Sequence, residues 1–211
     1  KIFIKYWGED DNLIILNSEN FLFQSNESKT LEWDVPDTHS NPIAQLGISI
    51  SSEEKCSGKL LVNYLDILGE PKITFKKPDH IANPKRGIES MKVPFYGQMW
   101  KNNWVQAIDK WETRWKEPFR ITQNIGRGLI FTGNDKWKNY SVMSKLNFHL
   151  VNSGGLIARV QGLKRYYALE LTQEQKLRIS KIYYELEILK EIDFKFEFFT
   201  DYDLRLVVVD N

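Results

Sequence analysis

The run Ser141-Val142-Met143-Ser144-Lys145-Leu146-Asn147-Phe148-His149-Leu150-Val151 alternates in character. Val142, Leu146, Phe148 and Leu150 fall on one side, and Lys145, Asn147 and His149 on the other. Period two is the mark of a pleated strand with one face buried. Leu156, Ala158 and Val160 repeat the pattern against Arg159 and Gln161. Further strands are predicted over residues 166–171, 177–184, 193–199 and 204–208. Turn residues punctuate them at 133–135, 152–155, 162, 173–175 and 200–201. Short strands at intervals of roughly 10–12 residues predict an antiparallel sandwich.

Working outward, the N-terminal half carries a weaker version of the same signal. Residues 13–16, 21–24, 30–35, 43–51 and 59–68 read as strands, and 58–66 resembles a late strand of a jelly roll. Pro78, Pro84 and Pro94 lie among basic and small residues with little periodicity, which is linker chemistry. The expected fold is all-β: two jelly-roll/concanavalin-like antiparallel β-sandwiches joined by a Trp-rich segment. Residues 1–80 would form the first sandwich (galactose-binding-like jelly roll), 81–118 the linker and Trp-rich segment, and 119–211 a lectin-like second sandwich. Trp100, Trp104, Trp111 and Trp115 are spaced four, seven and four apart, which puts them on one helical face. An aromatic belt around a strand is the competing picture, and Pro118 ends either one.

Composition narrows the function classes. The 211 residues hold 29 Lys+Arg and 28 Asp+Glu, a net charge of +1. That balance argues against nucleic acid, whose binders need a basic excess. The longest apolar runs are four residues, far below the ~18 of a membrane helix. Cys56 is the single cysteine, which excludes an internal disulfide and a cysteine-based zinc cluster. His39, His80 and His149 are scattered, so no His-rich metal site is expected, and no cofactor is implied. The chain opens at Lys1 without a Met and shows no signal peptide, which fits a processed or excised piece.

Several constellations could carry chemistry. Aromatic faces stack on sugar rings, so the Trp cluster and the rim pair Trp137 and Tyr140 are candidates; the plainer reading of the cluster is buried packing. Arg159 and Gln161, joined by His149, Asn147 and Lys145 from a neighbouring strand, would suit hydroxyl or phosphate recognition. The alternative there is an ordinary solvated face. Glu185 and Glu187 share a strand face, and paired carboxylates are what retaining glycoside hydrolysis requires, yet Leu189 stands where a third acid is wanted. Acidic loops at 9–12 and at Asp201 and Asp203 lack the spacing of a known calcium site. The glycines at 126 and 128 make a turn rather than a phosphate loop.

One longer pattern is more specific. The run Phe119-Arg120-Ile121-Thr122-Gln123-Asn124-Ile125-Gly126-Arg127-Gly128-Leu129 continues through Thr132-Gly133-Asn134 to Trp137 and Tyr140, and is followed by residues 155–169. Together with Gln98-Met99-Trp100 and 104–109, this resembles the β-sandwich region that follows the catalytic domain in large bacterial proteins of the ADP-ribosylglycohydrolase family. The resemblance spans roughly residues 58–209. It implies a non-catalytic accessory module whose partners are a carbohydrate or nucleotide-sugar ligand and the catalytic domain of the same longer chain. The family's helical catalytic domain and its magnesium-binding acids have no counterpart in this sequence. Expected ligand contacts are hydrogen bonds from Arg159 and Gln161 and ring stacking by Trp137 and Tyr140. Two other readings remain open: a sandwich-fold glycoside hydrolase acting through Glu185 and Glu187, and a structural spacer or dimerisation domain.

Overall fold

The computed structural model describes residues 1–55, 57–77, 99–112 and 119–210. Much of the expected linker at 81–118, with Trp115 and Cys56, lies outside the described residues. The regular structure described is antiparallel β, apart from one 3-10 helix at Met99–Asn103. The chain divides into two compact units, residues 1–68 with 72–128, and residues 69–71 with 129–211.

In the first unit, β1 (Ile2–Trp7) is the central strand of a three-stranded sheet. It pairs with β2 (Leu13–Asn17) from Phe3↔Asn17 to Trp7↔Leu13, and with β3 (Ile43–Ile48) from Ile2↔Ile48 to Tyr6↔Ile43. Ile4 is its buried anchor. The sequence pattern had no strand at 2–7, because Lys5 interrupts a run of large residues. Conversely, 21–24, 30–35 and 59–68 form no strand. A strand needs a partner to satisfy its backbone, and none is supplied among the described residues. Residues 22–29 close on themselves instead: the Gln24 N–H donates to the Glu27 carboxylate at 2.8 Å and Lys29 donates to the Leu22 carbonyl at 2.9 Å.

The Trp-rich segment is not one helical face. Trp100 sits in the 3-10 helix, Trp104 follows it, and Trp111 lies on β5 (Lys110–Glu112), after the short β4 (Val105–Ala107). β5 pairs with β6 (Arg120–Thr122), opposing Trp111 to Ile121. The rings nonetheless gather. Trp100 meets Trp111 edge-on at 5.3 Å, Trp104 meets Phe119 at 5.1 Å, and Trp111 stacks on Phe119 at 5.5 Å. Trp100 and Trp111 are buried, so the cluster is packing rather than an open sugar platform.

The second unit has two layers. β9 (Ser153–Gly162), β10 (Arg165–Thr172), β11 (Lys176–Tyr183) and β12 (Glu185–Asp193) form a four-stranded sheet in the order β12-β11-β10-β9. β8 (Tyr140–Asn147) and β13 (Asp201–Val208) form a ribbon, paired from Tyr140↔Val208 to Asn147↔Asp201. Leu206 of the ribbon packs with Leu156, Ala158 and Leu169 of the sheet, flanked by Tyr140, Val142, Leu146 and Leu204. The other face of the sheet buries Tyr166, Ala168 and Ile182 with Leu129 of β7 (Leu129–Phe131). The strand expected at 193–199 is displaced: β12 ends at Asp193, and residues 194–200 turn back toward β13. Gly154 and Gly155, expected in a turn, lie within β9 opposite Leu171 and Glu170.

Candidate functional site

The site expected at Arg159 is built around a bulge. Between Ala158↔Tyr167 and Gly162↔Arg165, residues 159–161 oppose Tyr166 alone. Arg159 takes up the excess chain in a left-handed conformation (φ 51°), unusual for a side chain with a Cβ. Its N–H, turned out of the ladder, donates to the Tyr140 hydroxyl at 2.6 Å. Its Nη2 donates to the Lys138 carbonyl at 3.1 Å and to the Asp210 carbonyl. The Asp210 N–H donates to Asn139 Oδ1 at 2.8 Å, which closes the loop. Arg159 therefore braces the entry to β8 against the exit from β13.

Three of the four expected residues meet here. Trp137 lies 6.3 Å from the Tyr140 ring, near edge-on, and covers Gly133, whose φ of 138° suits glycine. An added Cβ at Gly133 would stand 2.8 Å from the indole. Tyr140 itself is spent on packing and on the Arg159 amide, so Trp137 is the ring of the pair with a face to offer. Gln161 is exposed on the bulge and does not line the recess beside it. That recess, of about 230 Å³, is walled by Arg159, Tyr167, Val207, Val208, Val209 and Asp210. Tyr167 and the 207–210 wall were not singled out in the sequence. The alternation of β10 and β13 marks them as strand residues and carries no sign of a shared cavity.

Lys145, Asn147 and His149 do not join this group. β8 pairs with β13 rather than β9, so these residues belong to the ribbon's own outer side. Asn147 Nδ2 donates to Asp201 Oδ1 at 2.7 Å, and His149 tilts over Phe199 at 5.0 Å. Glu185 and Glu187 are both exposed on β12, the outermost strand of its sheet, and Glu187 lies 3.8 Å from the Lys181 ammonium. Asp11 is engaged as a loop acceptor for the Met99 N–H at 2.9 Å. Among the described residues, no three His, Cys, Asp or Glu side chains gather as metal ligands, and no helix is long and apolar enough to cross a membrane.

Comparison with family models, curated proteins and solved structures finds no match. The site is thus read from its own chemistry. Arg159, a tyrosine and three valines line an amphipathic concavity. A cavity of this kind can hold a ring by its apolar face and a hydroxyl or phosphate by charge-assisted hydrogen bonds.

Proposed function

We propose that the chain is a non-catalytic binding module for a carbohydrate or ADP-ribose-type ligand, an accessory part of an ADP-ribosylglycohydrolase-family hydrolase. The observation that carries the reading is the recess walled by Arg159, Tyr167 and residues 207–210, with Arg159 fixed by its bulge. The attachment to a hydrolase rests on the ordered residues 119–140 and 155–169 alone. In the same reading the second unit is a lectin-like sandwich, supported by its ribbon packed on a four-stranded sheet. The first unit would be a jelly roll reduced to its three-stranded sheet. A hydrolase acting through Glu185 and Glu187 draws no support, since exposed acids on one edge strand do not face each other across a cleft.

Titration calorimetry against ADP-ribose and a panel of neutral oligosaccharides tests the proposal. Saturable binding is expected, weakened about tenfold or more in Arg159→Ala, for the loss of a charge-assisted contact. Arg159 also braces the fold, so Val209→Asp on the exposed wall serves as the second variant. It should weaken binding while leaving the melting temperature within about 1 °C, as surface changes do. A flat response across the panel overturns the reading in favour of a structural spacer.

A further inference from the structure

β12 presents an open edge. It is the last strand in the order β12-β11-β10-β9, and its outer side meets no strand among the described residues. Leu186, Ile188, Leu189 and Ile192 are each about half exposed along it. The opposite edge, β9, is covered at Arg159, where the Tyr140 hydroxyl takes the N–H and the guanidinium reaches the chain at Lys138 and Asp210. We propose that β12 pairs antiparallel with β12 of a second copy of this chain, in the one register that sets Ile188 against itself. The pairing does not depend on the recess at Arg159.

Faces and charges select the register. Leu186 opposes Ile182, Ile188 opposes Ser180 and Glu191 opposes Arg178, all on the face that packs against Leu129. Glu185, Glu187, Lys190 and Ile192 lie on the other face, and Leu189 is the extra residue of the bulge between Ile188 and Lys190. A two-fold axis between identical antiparallel strands stands normal to the sheet, so opposed residues share a face. Centring the axis on any of Glu185, Glu187, Lys190, Glu191 or Asp193 puts like charges against each other. Centring it on Leu186 sets Glu185 against Glu187, on Leu189 sets Glu187 against Glu191, and on Ile192 sets Glu191 against Asp193. Like charges directly opposite each other destabilise a ladder.

Ile188 alone remains. With the bulge repeated in the new ladder, Glu187 of each copy meets Lys190 of the other, so symmetry makes the ion pair twice. Leu186 then meets Glu191, Glu185 meets Ile192, and no like pair arises. Lys190 is the charge this register answers. Glu187, Glu191 and Asp193 have cations on β11, whereas Lys190 opposes Ile179 and makes no ion pair among the described residues.

The same logic favours closure. β12 laid on β9 of another copy would be head-to-tail and would grow without end. β12 on β12 uses up both open edges and joins two four-stranded sheets into one of eight. A single strand pair is a small interface, so weak and reversible association is expected.

Sedimentation velocity on the full chain, over a range of concentrations, tests the pairing. The expected result is a monomer–dimer equilibrium with no larger species, weakened by salt. Lys190→Glu should weaken the dimer about tenfold, because both cross-pairs become like charges. Glu187→Lys should do the same, and the double variant, with opposite charges restored in reversed order, should recover the dimer. Both side chains are exposed, so each variant should keep the wild-type melting temperature in dilute solution. In a Cys56→Ser background, Ile188→Cys should cross-link to its own copy under an added oxidant, since opposed Cα atoms about 4.5–5.5 Å apart suit a disulfide. Leu186→Cys should not. A monomer at every concentration, larger species that grow with concentration, or a double variant that stays monomeric would overturn the pairing. Cross-linking at Leu186 in preference to Ile188 would overturn the register.

Discussion

Tyr140 shows how much one atom can hold. Its hydroxyl is the acceptor for the Arg159 N–H, which the left-handed bulge has turned away from the β ladder. Tyr140→Phe keeps the ring and strands that amide, at a cost of about 1–3 kcal/mol. The expected readout is faster hydrogen exchange at the Arg159 amide, with a lower melting temperature. Unchanged exchange would mean that water replaces the hydroxyl. Arg159, Trp137 and Tyr140 were legible in the sequence as a group of candidates. That two of them brace the backbone was not, because a bulge is invisible to a period-two pattern. Lys101 is a second residue-scale case. Burial pushes its ammonium below the usual lysine range, while the Trp111 ring, 5.1 Å from Nζ, favours the cation. The unfolded chain then holds this proton to higher pH than the folded one. Stability is penalised below the depressed folded value and recovers as pH rises toward the ordinary lysine value. In urea melts at pH 7 and pH 10.5, the stability of the wild type relative to Lys101→Met should rise with pH. A falling difference would show that the ring outweighs the burial.

At the scale of elements, β12 is the exposed one. It is nine residues long and is the edge of its sheet among the described residues, with Leu186, Ile188, Leu189 and Ile192 each about half exposed. Three of its four acids are answered from β11, Glu187 by Lys181, Glu191 by Arg178 and Asp193 by Lys176. The Lys176–Asp193 hydrogen bond holds the aspartate below, and the lysine above, their usual ranges. An edge this apolar and locally neutral is a template for pairing with other chains. Leu189 occupies the irregular step where Lys190 opposes Ile179 and Ile188 opposes Ser180, so it has no direct partner on β11. Leu189→Lys should therefore leave the melting temperature unchanged and slow aggregation at 37 °C, as followed by light scattering. An unaltered aggregation rate would shift suspicion to the exposed apolar stretch at residues 60–68. β8, β9, β10, β11 and β13 were legible because each alternates and finds a partner, whereas the strand expected at 193–199 gave way to β12 at Glu185–Asp193, whose residues are exposed on both faces. Residues 59–68 carry equal β propensity without a partner, and β1 pairs on both sides without alternating cleanly. Pairing is a property of the fold, and that is where local reading fails.

At the scale of the whole chain, the two units hold separate cores of different character. Indole and phenyl rings fill the first, with Ile4 buried in its sheet, while Leu156, Ala158, Leu169 and Leu206 fill the second. The spectroscopic reporters divide in the same way. Six of the seven tryptophans precede residue 129, whereas the six longest strands follow it. In a Trp137→Phe background, indole emission then reports the first unit, and far-UV circular dichroism weights the second. Gly155→Ala perturbs the second unit alone. Its Cβ would fall 1.8 Å from the Leu169 carbonyl oxygen, so β9 must part from β10. Backbone displacement of this kind costs up to about 3 kcal/mol, a fall of roughly 10 °C or more for a unit of this size. If each unit folds on its own core, the dichroism transition moves by that amount and the indole transition stays in place. If the two transitions move together, the chain unfolds as one cooperative block. Separate cores would then be a feature of packing without energetic independence, and a ligand bound beside Arg159 would stabilise both units alike.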